Sequence, residues 1–246
     1  HLDARPPSFL TSRQIARRRE ERLQAFENTM REVPECDAEI VLIAGDLFEN
    51  SLVRRQTLRR IQEAFEQLAP VWVLVAPGNH DHLGKDSFYR VKDWPENVHI
   101  FPAGWSQWRL PGRDCTVSGF GWDRPEITRR RLADCPEAPA DHVHLVLIHG
   151  DCLSGDSGSA YLPISRTELE SCPAQYIALG HIHRAEPAES GSLTTKWMNP
   201  GAPEPMDFGE AESLRGIVRG RVGRKGRELE LVPSVPRREY RVCEVS

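Results

Sequence analysis

The chain has 246 residues, of which 39% are apolar and 28% charged. This composition excludes a disordered or collagen-like protein and is sufficient for a sizeable hydrophobic core. A net charge of -4 excludes a globally basic nucleic-acid binder but is compatible with a local basic stripe. No apolar run approaches the roughly eighteen residues that cross a membrane, so no membrane partner is expected. Six cysteines without a C-x-x-C pair, and no secretory signal segment, predict reduced thiols and a cytoplasmic location.

The first third of the chain alternates helical and strand patterns. Apolar residues at three- and four-residue steps predict a helix from about Ser12 to Val33, with Ser12 as N-cap and a solvated face that includes Arg18. The apolar run 40–44 predicts a strand that is buried on both faces. A second amphipathic helix and another buried strand, over 71–75, follow it. This order is typical of a layered α/β domain.

The rest of the chain is richer in predicted strands than in helices. Short strands separated by Pro and Gly are expected over 98–121, and a short helix over 128–132. Further strands are expected over 143–148, 175–179, 214–222, 227–232 and 238–245. No internal repeat or low-complexity linker divides the sequence, so the simplest expectation is one domain over 1–246.

Residues that can bind a metal follow each of the strong apolar strands. They are Asp46 after the first strand, Asn79 and His80 after the second, His149 at the end of the third, and His181 and His183 after the fourth. Because ligands of open α/β sheets bind beyond the carboxyl ends of the strands, these side chains are expected at one edge. A single Asp, Asn or His at a strand end is more often a turn or capping residue. Four strand ends that carry this set are much stronger evidence.

The residue types indicate two metal ions. A carboxylate can bridge two cations, so Asp46 is the natural shared ligand, and neutral imidazoles suit manganese, iron or zinc better than calcium or magnesium. Such a mixed set fits ions roughly 3.5–4 Å apart, with a bridging hydroxide as nucleophile toward a phosphate. His80 adjoins Asn79 and is expected to point away from the ions, in a position to protonate the leaving oxygen.

The ordered motifs resemble those of a known family. Gly45-Asp46, Gly78-Asn79-His80-Asp81, His149-Gly150 and Gly180-His181-Ile182-His183 are similar to the motif series of the calcineurin-like metallophosphoesterases. The resemblance implies an α/β fold, a four-layer sandwich of two mixed β-sheets flanked by helices. It also implies an Asp two positions before His1, on a strand that precedes the sequence, and a cap or partner-binding region beyond Ser246.

The same resemblance implies a role for each motif residue. One ion would be held by His1, Asp46 and His183, and the other by Asp46, Asn79, His149 and His181. His80 would be the catalytic histidine, and Asp81 would support the ligands from behind.

Local sequence resembles one branch of the family. Gly45-Asp46-Leu47-Phe48, the segment 199–205 and the strand around 216–218 are similar to SbcD-type DNA repair exonucleases. This branch implies a metal-dependent hydrolase that cuts DNA with two divalent ions, manganese first and iron or zinc as alternatives. It also implies an SMC-like ATPase partner and leaves the oligomeric state open, a dimer being one option. Two other functions stay open: a phosphodiesterase or phosphatase for nucleotides or other small molecules, and a non-catalytic binding module on the same fold.

Overall fold

The computed structural model describes residues 1–5, 7–91, 93–153, 158–206, 208–210 and 212–237. Its α-helices are α1 (Ser12–Glu32), α2 (Arg55–Glu66), α3 (Phe88–Val91) and α4 (Arg166–Ser171). Short 3-10 helices lie at Val33–Cys36, Leu132–Asp134 and Phe208–Glu210. The strands are β1 (Ile40–Ile43), β2 (Trp72–Val75), β3 (Val98–Ile100), β4 (Gly104–Arg109), β5 (Cys115–Gly121), β6 (Val143–His149), β7 (Cys152–Leu153), β8 (Ile164–Ser165), β9 (Tyr176–Gly180), β10 (Gly191–Ser192), β11 (Trp197–Met198), β12 (Gly216–Gly223) and β13 (Gly226–Pro233). The expected strand over 238–245 lies outside the described residues.

The smaller layer of the sandwich is a parallel sheet in the order β1-β2-β3. The outer face of this sheet is covered by α1 and α2, because their apolar sides share one core cluster with it. From α2 this cluster receives Leu58, Ile61 and Phe65, which have no exposed surface. From β2 it receives Val73 and Val75, while Leu74 points to the opposite face.

The larger layer is a five-stranded mixed sheet in the order β11-β9-β6-β5-β4. Only β4 runs antiparallel to its neighbour. Its inner residues, such as Val117 and Leu147, form a second core with Leu74 of the smaller sheet. Its outer residues, such as Ile148, pack on Leu169 of α4. Helices, sheet, sheet and helix thus make the four layers expected from the sequence. The hairpin β12–β13 with β10 adds a small antiparallel sheet.

The helix α1 differs from its prediction at its cap and on one face. Thr11 is the N-cap rather than Ser12, because Thr11 forms a capping box with Gln14: the Gln14 N–H donates to Thr11 Oγ1 (3.4 Å) and the Thr11 N–H donates to Gln14 Oε1 (2.8 Å). Arg18, expected on the solvated face, is only 8% exposed. The long stem of an arginine can cover apolar surface, so charge alone does not predict exposure.

Two further expectations are corrected by the pairing of strands. The range 128–132 forms no α-helix, because Ile127 is extended and pairs with Tyr161 in a bridge, and a 3-10 turn begins only at Leu132. The strand β1 is half-buried instead of fully covered. Among the described residues it pairs with β2, and its residues contribute to the lining of a cavity of about 1170 Å³. Among the described residues, no helix combines the length and apolarity needed to cross a bilayer.

Candidate metal centre

The loops that follow β1 and β2 are clamped together by one buried carboxylate. Asp81 accepts hydrogen bonds from the backbone N–H groups of Gly78 (2.6 Å), Leu47 (2.8 Å) and Asp46 (3.1 Å). It also accepts one from the Tyr89 hydroxyl (2.8 Å). These four donors hold the loop of Asp46 against the loop of Asn79. Asp81 thus lies behind Asp46 and Asn79 and contacts the backbone of both loops.

Close backbone approach at the sheet edge depends on glycine. A Cβ at Gly180 would lie 1.9 Å from the Ala44 carbonyl oxygen, and one at Gly78 would lie 2.4 Å from Asp46 Oδ1. Two predicted ligands, Asp46 (φ 54°) and His181 (φ 108°), are in the left-handed region that non-glycine residues rarely adopt. Such strain persists where the surroundings enforce it and is common at functional sites.

The first group of ligand atoms lies around His149, which has no exposed surface. His149 Nε2 is 2.9 Å from Asn79 Oδ1, 3.2 Å from Asp46 Oδ2 and 3.3 Å from His181 Nδ1. His149 Nδ1 is 2.8 Å from the Ala44 carbonyl oxygen and can only donate to it. The lone pair of His149 Nε2 is then free to bind a metal ion in the centre of the group.

The second group of ligand atoms shares the same carboxylate. His1 Nε2 is 3.4 Å from Asp46 Oδ2, and His1, Asp46 and His80 each offer an atom within 4.8 Å of the others. His183 joins this group through His1, since the two Nε2 atoms are 3.0 Å apart. The structure therefore brings all six predicted ligands to one edge, with Asp46 between the two groups.

His80 is positioned differently from the predicted ligands. Its backbone N–H donates to Asp46 Oδ1 (2.9 Å), while its ring Nδ1 lies 2.7 Å from Glu49 Oε2. The side chain is 42% exposed, whereas the ring of His149 is fully enclosed. With Nδ1 held by a carboxylate, Nε2 is the nitrogen of His80 that can meet a substrate.

Burial and neighbouring charges shift the pKa values of three residues in the centre. Burial favours a higher pKa for Asp46, but the charge and hydrogen bond of His149, together with the backbone N–H and charge of His80, outweigh burial and lower the pKa of Asp46. Burial favours a lower pKa for His149, but the charge and hydrogen bond of Asp46, together with the Ala44 carbonyl and the Asp81 charge, outweigh burial and raise the pKa of His149. Burial, followed by the charge of His149, lowers the pKa of His181 to about 4. His181 is therefore neutral near pH 7 and can offer a lone pair.

The nitrogen and oxygen atoms that meet in the centre are suited to binding cations. When Nδ1 of His149 carries the proton, its Nε2 lone pair faces a carboxylate oxygen of Asp46, an amide oxygen of Asn79 and a lone pair of His181. Acceptors that face acceptors in a buried site repel one another unless a proton or a cation lies between them. A divalent ion satisfies all of them at once, and the mixture of nitrogen and oxygen atoms suits transition metals.

Sequence reasoning missed the partners that orient these histidines. Glu49 holds His80, and it stands three residues after Asp46, so a search for acidic residues beside the Gly-Asp motif would have found it. Glu210 Oε1 lies 2.7 Å from His183 Nδ1, yet it is 27 residues further along the chain and no local pattern marks it. The Trp122 indole donates to the His149 carbonyl (2.9 Å) and is buried in the core.

Comparison with known proteins identifies the family. Residues 21–217 match the calcineurin-like phosphoesterase superfamily domain, and this range contains every predicted metal ligand except His1. The metallophosphoesterase YhaO of Bacillus subtilis is 29% identical over 154 residues, covering 60% of this chain and 37% of that protein. The DNA double-strand break repair protein Mre11 of Methanopyrus kandleri is 28% identical over 260 residues, covering 93% of this chain and 55% of that protein.

A solved structure, TT1561 of Thermus thermophilus, is similar with 16% identity and a TM-score of 0.48, covering 87% of this chain and 94% of that chain. The chain spans about half or less of the length of the two curated relatives. The family match covers more than half of this chain and spans the strand ends that converge at the centre. The chain therefore belongs to the calcineurin-like phosphoesterase superfamily.

Proposed function

We propose that this protein is a dinuclear-metal phosphodiesterase that cuts DNA. The observation that carries the proposal is the pair of ligand groups that share the Asp46 carboxylate, with His80 beside them. The DNA substrate is supported by the similarity to Mre11 of Methanopyrus kandleri. An SMC-like ATPase partner belongs to the proposal on the family resemblance alone.

Two groups of side chains would hold the ions. His1, Asp46 and His183 would hold one ion, and Asp46, Asn79, His149 and His181 the other. When bound, a pair of divalent ions lowers the pKa of water and neutralises charge on a phosphate. The histidine-rich donor set favours manganese, iron or zinc over magnesium and calcium, and we propose manganese.

His80 would act on the leaving oxygen. Glu49 accepts a hydrogen bond from His80 Nδ1 and fixes the orientation of the ring, so that a proton on Nε2 would be directed at the leaving group. The Asp46 carboxylate fixes the backbone of His80 and therefore its distance from the ligand groups. Proton donation of this kind contributes about 10²–10⁴-fold to a rate.

A cavity beside His80 offers space for the substrate. It has a volume of about 430 Å³ and is lined by His80, Asn79, His82, Arg5 and Tyr161, among others. The exposed guanidinium of Arg5 suits a phosphate next to the one that is cut. Tyr161 is 39% exposed. A substrate with several phosphates and bases, such as a DNA strand, matches this combination.

We further propose, on the family resemblance alone, that an Asp two positions before His1 belongs to the ligand group of His1, Asp46 and His183. Sequencing the full-length gene tests this, because any other residue at that position would remove one ligand.

Nuclease assays of the full-length protein test the proposed reaction. We expect DNA cleavage in the presence of Mn²⁺, and a loss of about 10²–10⁴-fold in the His80→Ala variant with both ions still bound. Metal content measured on the same samples separates loss of chemistry from loss of ions. His142→Ala is the matched control, because His142 lies at the opposite end of the sheet and contacts Thr116.

The outcomes separate the three functions considered. Cleavage of DNA by the wild type, lost in His80→Ala, supports the proposal. Cleavage of bis(p-nitrophenyl) phosphate or nucleotides without any cutting of DNA would assign the protein to small-molecule phosphodiesterases. Bound ions without hydrolysis of any phosphoester would indicate a binding module. Equal activity of wild type and His80→Ala would refute the role given to His80.

A further inference from the structure

Glu210 lies directly behind one of the predicted ligands. Its Oε1 atom is 2.7 Å from His183 Nδ1, while His183 Nε2 is 3.0 Å from His1 Nε2. The two nitrogens lie on different edges of the imidazole ring, so Glu210 and His1 contact His183 from different sides. A carboxylate at Nδ1 requires a proton there and leaves the Nε2 lone pair directed at the metal group.

Glu210 is itself held in place by neighbouring groups. Its Oε2 atom accepts a hydrogen bond from the Met206 backbone N–H (2.8 Å) and lies 3.6 Å from Arg215 Nη1. Arg215 is buried and also donates to the Glu210 carbonyl oxygen. Both carboxylate oxygens thus have donors, Oε1 in His183 Nδ1–H and Oε2 in the Met206 N–H and Arg215, so Glu210 is placed to orient a ligand and not to bind an ion itself.

The contacts of Glu210 also join the metal group to the last sheet. Arg215 directly precedes β12, and the Leu214 carbonyl accepts a hydrogen bond from the Ala185 N–H (2.7 Å). Ala185 lies two residues after His183. The orientation of His183 is therefore set by the segment that leads into the β12–β13 hairpin, far from His183 in the sequence.

We infer that Glu210 is a positioning residue, which holds His183 in the Nδ1–H tautomer with Nε2 directed at the metal group. This inference rests on the proposed two-metal function and adds a residue that the motifs do not contain. Partners of this kind raise the basicity of the ligand and prevent rotation of its ring, and their removal costs about 10–100-fold in metal affinity.

Metal titration by calorimetry tests the inference without any activity assay. We expect Glu210→Ala to weaken one of two Mn²⁺ sites by about 10–100-fold and to leave the other unchanged. Glu210→Gln keeps an oxygen acceptor for Nδ1–H but no charge, and we expect it to restore part of the affinity. Imidazole ¹⁵N shifts of the metal-free full-length protein should show His183 as the Nδ1–H tautomer in wild type and as a mixture in Glu210→Ala.

Glu186→Gln is the matched control. Glu186 has nearly the same side-chain exposure as Glu210 (19% and 18%) and lies close to His183 in sequence, but its carboxylate pairs with Arg166. The Glu186→Gln variant should have the same Mn²⁺ affinity as wild type at both sites. If Glu210→Ala binds two ions as tightly as wild type, with His183 in an unchanged tautomer, the inference is wrong while the proposed function stands. If the wild type itself binds no ions, the proposed function fails instead.

Discussion

At the scale of single residues, Asp81 supports the candidate centre without being one of the predicted metal ligands. It accepts hydrogen bonds from three backbone N–H groups and from the Tyr89 hydroxyl. Buried donors that lose their acceptor cost more free energy than a hydrogen bond contributes when it forms. The geometry of Asp46 and Asn79 therefore depends on a side chain that lies outside both ligand groups.

Replacement of Asp81 by Asn is predicted to destabilise the protein by about 2–4 kcal/mol, measured by urea denaturation of the metal-free protein. An amide nitrogen in place of one oxygen cannot accept, so at least one N–H from Gly78, Asp46 or Leu47 stays unpaired in the interior. Tyr89→Phe removes only one of the four donors and should cost about 1–2 kcal/mol. Equal losses in the two variants would contradict a clamping role for Asp81.

At the scale of elements, the apolar residues that repeat at helical spacing in α2 are the ones that pack on the smaller sheet. Leu58, Ile61 and Phe65 recur at helical spacing, and all three are fully buried against the smaller sheet. The Phe65 ring lies 5.8 Å from Phe26 of α1, in an edge-to-face arrangement, and 6.2 Å from Trp94. Phe65 thus connects both helices of this layer with the segment that leads to β3.

Phe65→Ala is predicted to reduce the free energy of unfolding by about 3–5 kcal/mol, because a large cavity replaces a close-packed ring. Arg59→Ala on the exposed side of the same helix should change it by less than about 0.5 kcal/mol. Chemical denaturation of both variants, with calorimetry to check that unfolding is cooperative, measures the difference. A small loss for Phe65→Ala would mean that the helix is not packed as the structure shows.

At the scale of the whole molecule, the candidate centre joins the two sheets. Asp46 and Asn79 follow strands of the three-stranded sheet, whereas His149 ends one strand of the five-stranded sheet and His181 follows another. The backbones of the two sheets also meet here, since a Cβ on Gly180 would collide with the Ala44 carbonyl. Ions bound between these side chains would therefore stabilise the packing of one sheet on the other.

Metal binding is accordingly predicted to raise the melting temperature. With free Mn²⁺ at about 100 times its dissociation constant, the stabilisation should be about 2.7 kcal/mol per site, and a chelator should reverse it. Calcium should stabilise less at the same concentration, because imidazole nitrogens are poor ligands for it. His149→Ala should remove the part of the Mn²⁺ effect that comes from its own site and leave the part that comes from the other site. An unchanged melting temperature in the presence of Mn²⁺, Fe²⁺ and Zn²⁺ would contradict a metal centre that bridges the sheets.

Much of the fold can be read from the sequence, because periodicity and strand length are local properties. The spacing in α1 and α2 predicts both helices, and the apolar runs predict β1, β2, β6 and β9 within one or two residues. The metal-capable residues after those runs are equally local, so their convergence follows from the rule for parallel strands. Arg18 and the range 128–132 were predicted wrongly, since their environment is made by distant segments.

The sequence is sufficient to show which residues could bind metal, because residue type and position relative to a strand are local properties. Asp, Asn and His side chains can bind metal, and they come at the ends of the apolar strands. The orientation of those side chains depends on contacts that form in the folded chain. The Ala44 carbonyl, Glu49 and Glu210 each contact Nδ1 of a histidine, and each of these partners lies 27 or more residues from that histidine in the chain. Orientation of an imidazole depends on which acceptor lies beside it in space, and the folded chain supplies that acceptor from another element.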